Sequence, residues 1–444
     1  MTRRSLKSIT PWLLLIVLIS PGWVHGQLFE RPVVLQGVSA VSPGSTVENL
    51  TITIRGGRIT EISESADVPL MSKKIDAKGL FATAGLVDHA SVLTLPVGGA
   101  GEAGQWSWDG FDRFSKDAIE EVLASGVTRV HLVPVRDGGI SGRSCWVSLK
   151  NSGNGAHGEL VEEEAALCIN LAANSPVNRI RSFDKIVEAF RGAQERRDSL
   201  DSYETDLEEY LEELKKWLEK KASGEEKEEG KGKSGGEKEK SDDSDDAPEK
   251  PQRPGLDANS DILLRALNHE IPVLITARKS ADLINACELI QMYDLDAIIH
   301  GADEAELVID HLKELEDVSF IIDQPARSLA ADGPGVLSSA PRRSENLIKV
   351  LNENDLDWVI GSGGSGSGLW RMTRKLAEGS ALVSAQSTDL RGLKSRRDWL
   401  RPGQRHIVLW SDNPATAAAA RPVKVIIDGD VVWEESSAAR GGRF

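Results

Sequence analysis

The chain has 444 residues and a formal net charge of −16 at pH 7. That acidity argues against nucleic acid or an anionic membrane surface as a partner. The length suits one elaborated domain rather than several independent modules. Three cysteines, an odd count, allow at most one internal disulfide, and no pairing is assignable.

Arg3, Arg4 and Lys7 precede the short apolar run Trp12 to Ile19, and Val24-His25-Gly26 then offers a cleavage site before Gln27. Residues 1–26 read as a secretory signal peptide, too short and wrongly flanked for a membrane span. The expectation is an exported protein, periplasmic or extracellular, with no transmembrane span.

Residues 33–64 read as short strands with turns. The run Val47 to Arg55 alternates with period two, and Gly56-Gly57 turns the chain into Arg58-Ile59-Thr60-Glu61-Ile62, the two-residue loop of a hairpin. Further on, Asp117 to Gly126 has helical spacing with a glycine stop, and residues 127–134 follow as a buried strand. From about Asp201 to Trp217 a charged helix is predicted. The stretch 222–254 is almost only Glu, Lys, Gly, Ser, Asp and Pro. It cannot bury enough apolar surface to offset its ordering entropy, so it reads as a disordered insertion. Residues 271–278 form a strand, 281–292 a helix and 296–301 a strand, the βαβ unit of a parallel sheet. A late strand, Leu356 to Ile360, ends in the Gly/Ser run Gly361 to Gly368. Residues 400–410 and 423–433 are again strand-like, with Asp428-Gly429-Asp430 as a turn.

The most informative run is Ala82-Thr83-Ala84-Gly85-Leu86-Val87-Asp88-His89-Ala90-Ser91-Val92-Leu93. It resembles the segment by which amidohydrolase-superfamily enzymes enter their metal-binding barrel, P-G-[LI]-[IV]-D-x-H-x-H. The resemblance implies a (β/α)8 TIM-like barrel over 81–399, of α/β class, and a small β-sandwich built from both chain ends, 28–80 and 400–436. It also implies where the metal ligands would stand. The two histidines of the motif fall on Ala90 and Val92. Relatives carry H-A-H at Thr276-Ala277-Arg278, and the metal-binding aspartate falls in the 361–368 run, which holds no carboxylate. His300 alone matches a ligand position.

A catalytic zinc site takes about three protein ligands and an open position, which one histidine does not supply. His89 is offset by one residue from the motif histidine, so an unbulged strand points it away from Ala90 and Val92. It reads as a strand-end histidine, solvated or hydrogen-bonded. His131 sits in an apolar strand and reads as a core histidine. Cys145, Cys168 and Cys287 show no C-x-x-C pattern and read as buried structural residues. A bridging lysine is not placeable beyond Lys150 or Lys279. The Gly361–Gly368 loop offers backbone N–H groups to an anion, but lacks the lysine of a P-loop, and a flexible replacement loop is the plainer reading. No cofactor is predicted. The sequence thus favours an exported amidohydrolase-like protein that acts by binding or scaffolding, on a small molecule or protein it does not identify. The alternative is a hydrolase of non-peptide C–N bonds, such as cyclic amides, with displaced ligands and zinc.

Overall fold

The computed structural model describes residues 31–42, 45–64, 68–96, 98, 101–172, 176–228, 247–323, 343–370, 373 and 400–436. The expected signal peptide lies outside them. Five short strands come first: β1 (Val33–Ser42), β2 (Ser45–Arg55), β3 (Arg58–Ser63), β4 (Lys73–Asp76) and β5 (Phe81–Ala84). The hairpin forms as expected. Gly56 and Gly57 have φ of +55° and +72°, the left-handed pair that a two-residue loop between twisted strands requires.

The barrel follows. Its elements are β6 (Leu86–Ser91), α1 (Ser107–Gly110), α2 (Lys116–Ala124), β7 (Val127–Leu132), β8 (Gly139–Gly153), β9 (Ala156–Asn170), α3 (Pro176–Glu228), α4 (Ala258–Leu267), β10 (Val273–Ala277), α5 (Ser280–Tyr293), β11 (Ala297–Gly301), α6 (Ile309–Lys313), β12 (Ser319–Ile322), α7 (Leu347–Glu353) and β13 (Asp357–Ile360). Strands β6 to β13 hydrogen-bond in chain order. A parallel bridge between Ser91 and Gly364 joins the two ends of this sheet, supported by Val92 N–H to Gly364 O at 2.8 Å and Gly363 N–H to Ala90 O at 2.8 Å.

One feature departs from eight repeats of strand and helix. β8 runs antiparallel to both β7 and β9. The cause is legible: Asn154-Gly155, both at positive φ (52° and 77°), connect β8 directly to β9. Asn-Gly is a strong hairpin signal, and a two-residue loop leaves no room for a crossover helix. Helix α3 contains the charged helix expected at 201–217 and continues seven residues into the 222–254 stretch. Residues 247–254 have no regular structure.

Three strands close the chain: β14 (His406–Trp410), β15 (Pro422–Ile427) and β16 (Asp430–Glu434). β14 pairs antiparallel with β5, and β5 pairs with β1, so both chain ends build one sheet in the order β16-β15-β14-β5-β1-β2-β3, with β4 beside β1. This sheet reaches four residues past the boundary expected at residue 80. It has its own core, centred on Leu35, Ile52, Ile59, Leu409 and Ile426. Among the described residues no helix is long and apolar enough to cross a membrane.

Alternation along the strands sorts the barrel's two faces. Val273, Ile275, Ile299, Phe320, Ile322 and Ile360 join the large outer core shared with the helices. Leu274, Ile298, Ile321 and Val359 form a separate apolar cluster with Ala90, Val133, Ala166 and Cys168. Those residues come from strands all around the sheet, as the inner layer of a barrel requires.

Candidate functional site at the barrel mouth

The next residues on the inner face, two positions nearer the C-terminal strand ends, are Thr276 above Leu274, His300 above Ile298, Asp323 above Ile321 and Gly361 above Val359. Function in barrels of this kind sits at that end. Thr276 and His300 are register partners in the parallel pair β10–β11, so their side chains stand side by side. The Thr276 hydroxyl is 3.2 Å from His300 Nδ1, and Asp323 Oδ2 is 2.9 Å from His300 Nε2.

Arg278, two residues past Thr276, closes the group. Its guanidinium donates to Asp303 Oδ2 at 3.0 Å and to Asp323 Oδ1 at 2.9 Å, and a second nitrogen pairs with Asp323 Oδ2. Arg343 pairs with Asp303 and Asp323 from above, and donates to the backbone carbonyl of Asp323. Two arginines face two aspartates, both of the latter nearly without solvent contact. Burial pushes the Asp323 carboxyl up, but His300 and Arg278 outweigh it and hold the group well below the usual carboxylate range. For Asp303 burial prevails over Arg343 and Arg278, and its carboxyl is raised. Burial lowers Arg278, yet the two carboxylates more than reverse this and keep its charge fixed.

The β6 side of the mouth is different in kind. Ala90 lies in the apolar inner cluster and Val92 is half-buried beside Gly364. Asp88 is wholly buried. Ser362 donates both its backbone N–H (2.7 Å) and its hydroxyl (2.5 Å) to the Asp88 carboxyl, and Ala90 N–H adds a third contact at 3.2 Å. Burial pushes the Asp88 carboxyl up to about 7. The Gly361–Gly368 loop is therefore seated on the chain's own carboxyl group. Two of its glycines are required by proximity: a Cβ on Gly361 would stand 2.7 Å from Ala90 Cβ, and one on Gly363 would overlap Asp323.

His89 is hydrogen-bonded, as the sequence suggested, but buried rather than solvated. Its Nδ1 is 3.0 Å from Ile360 O, and its ring meets Trp146 edge-on at 5.5 Å. The β6–β7 register shifts between Asp88 and Ser91, so β6 does carry an irregularity at this point. His131 stacks on the Trp146 indole ring at 4.6 Å, with Nδ1 on His89 O and Nε2 on Ser144 Oγ. Burial depresses its pKa to about 3, so it is a neutral core histidine as expected. The three cysteines are buried free thiols, with burial raising Cys145 and Cys287 to about 11 and Cys168 to about 12. Lys150 pairs with Glu159 and Asp428 next to the terminal sheet, and Lys279 precedes α5 with its N–H on Asp282. Neither takes part in the His300 group.

These residues do not fit a divalent metal. Both nitrogens of His300 already have partners, and the space around Asp303 and Asp323 is filled by two fixed positive charges that would repel a cation. Among the described residues no group of three or more His, Cys, Asp or Glu side chains is placed to hold one. Of the positions that the sequence resemblance grouped, Thr276 and His300 stand side by side, and Gly363 of the Gly/Ser loop closely approaches Asp323. Sequence reasoning missed Asp303, Asp323 and Arg343, and read Arg278 only as a lost histidine. Asp323 had a signal, an acid directly after the apolar run 320–322. Arg343 had none, because it enters from a connection without periodicity.

No protein-family model matches the chain. No curated protein matches its sequence. Solved structures do match. An amidohydrolase from Thermotoga maritima MSB8 superposes with a TM-score of 0.63 at 16% identity, over 91% of this chain and 100% of that one. A putative prolidase from Bifidobacterium longum gives 0.48 at 14% identity, over 92% and 97% of the two chains. A dihydropyrimidinase from Brevibacillus agri NCHU1002 gives 0.47 at 12%, over 91% and 95%. The first of these likenesses is one of fold alone: the chain shares that structure's architecture, a barrel with a second sheet built from both chain ends.

Proposed function

We propose that this chain is an exported amidohydrolase-fold protein that acts by binding, and that its barrel mouth carries out no metal-dependent hydrolysis. One observation carries the reading. At the position where the sequence resemblance implies a metal, the Arg278 guanidinium is held by Asp303 and Asp323, and His300, the one residue that matches an implied ligand, is bonded on both ring nitrogens. Metal-assisted hydrolysis needs a cation to lower the pKa of water and a carboxylate free to move the proton. Here the carboxylates are committed to arginines. Export is proposed on the basic, then apolar, then small-residue pattern of residues 1–26.

The test is turnover by the purified mature chain on a cyclic amide, an imidazolone and a dipeptide, each with zinc or manganese added. The expected result is no hydrolysis above the protein-free rate. Hydrolysis of any one of them that disappears on chelation would overturn the reading in favour of a C–N hydrolase with displaced ligands.

A further inference from the structure

A cavity opens past the C-terminal ends of β6 and β7. Its volume is about 410 Å³, within the range of small-molecule sites. Its walls are Leu95 and Pro96 after β6, Trp106 at the start of α1, and Pro134 and Val135 after β7. Trp106 is fixed in place, since its indole N–H donates to Glu163 O at 2.6 Å. A held indole with proline and leucine beside it suits a flat apolar body.

Two polar groups in this cavity are not accounted for by the fold. Ser141 lines it and is 6% exposed, yet its hydroxyl has no hydrogen-bond partner among the described residues. A buried hydroxyl left unsatisfied costs about 1–3 kcal/mol, so such a group points to an absent partner. Arg136 also lines the cavity. Its guanidinium donates to Gly101 O at 3.0 Å, and among the described residues no carboxylate lies within ion-pair distance of it. This contrasts with Arg278 and Arg343, whose charges are matched by Asp303 and Asp323. Asp109 stands at the cavity's exposed rim.

We infer that this cavity is a binding site for a small monocarboxylic acid with a flat apolar body, the carboxylate on Arg136, the ring against Trp106 and a polar edge on Ser141. The planar guanidinium matches a carboxylate in two-point geometry. The inference deepens the binding reading and supplies its ligand class.

The experiment is calorimetric titration of the mature chain with phenylacetate and with its uncharged analogue phenylacetamide. Phenylacetate is expected to bind at least tenfold more tightly than the amide. Arg136→Gln is expected to remove that difference, and Ser141→Ala to weaken phenylacetate several-fold while leaving the acid-over-amide preference in place. Equal binding of acid and amide, no binding of either, or an acid preference that survives Arg136→Gln would overturn the inference. Its failure is distinguishable from failure of the binding reading: metal-dependent hydrolysis would refute the latter and leave this titration unchanged.

Discussion

The two sides of the barrel mouth differ in how their polar groups are held. On the β6 side Ala90 and Val92 carry no side-chain donor atoms, Ala90 belongs to the apolar layer beneath, and the Asp88 carboxyl is held by Ser362. On the β10–β12 side His300, Asp303 and Asp323 are matched by the charges of Arg278 and Arg343. The difference shows that counting candidate ligands is not sufficient. A donor is available only if nothing in the chain already holds it.

The comparison predicts unequal costs of substitution. The largest belongs to the ionic side. Asp323→Ala leaves Arg278 buried without its main partner, and His300 without its Nε2 partner. Breaking one member of such a group costs about 3–5 kcal/mol, readable as a lowered denaturant midpoint at constant slope. A loss under 1 kcal/mol would mean that the cluster is solvated and its charges loosely held.

Asp88 sharpens the contrast through pH. Its folded pKa is raised, from 3.8 in the free side chain to about 7. A group of this kind favours the folded state when neutral, so its contribution is present at low pH and is lost as pH rises through about 7. At about 1.4 kcal/mol per pKa unit, the effect reaches up to roughly 4 kcal/mol. The stability difference between wild type and Asp88→Asn should therefore shift toward the variant between pH 4 and pH 8. His131 and His406, both depressed to about 3 by burial, act in the opposite sense. Their contribution is present above about 6.5 and is lost as pH falls toward 3. The comparison with Asp88→Asn cancels them, because both proteins contain them. A pH-independent difference would contradict the buried, proton-holding Asp88.

The apolar side should resist repair. Ala90→His inserts an imidazole where Gly361 already approaches closely, and overpacking of this kind costs about 1–3 kcal/mol. Unfolding titrations with and without zinc should show that loss and no recovery of stability by the metal. Stabilisation by zinc would mean that the β6 side still has room for a ligand. The smallest effect is expected for Thr276→Val, which deletes the hydroxyl contact to His300 Nδ1 and should cost about 1 kcal/mol in the same measurement.

Much of the fold was legible because it rests on local signals. Gly56-Gly57 and Asp428-Gly429 mark hairpins, and the 271–301 run alternates strand, helix and strand as its spacing indicates. The antiparallel β8 was equally legible in Asn154-Gly155, but the expectation of a regular barrel masked it. The site was half legible. The departures from the motif at Ala90, Val92 and Thr276 are single-residue facts of the sequence. The ionic cluster is not, because the ion pairs of Arg278 join residues 25 and 45 positions apart. No periodicity encodes a guanidinium from β10 meeting carboxylates that follow β11 and β12. Only the closed register of the barrel brings them together.

The central claim is that protein charges hold the place of a metal at the mouth. It is tested most directly by elemental analysis of the purified mature chain, with its melting temperature taken before and after chelation. The account predicts substoichiometric zinc, iron and manganese and an unchanged melting temperature, since a metal bound only to the folded state would raise it by mass action. One tightly bound metal per chain, with a fall in melting temperature on its removal, would contradict it.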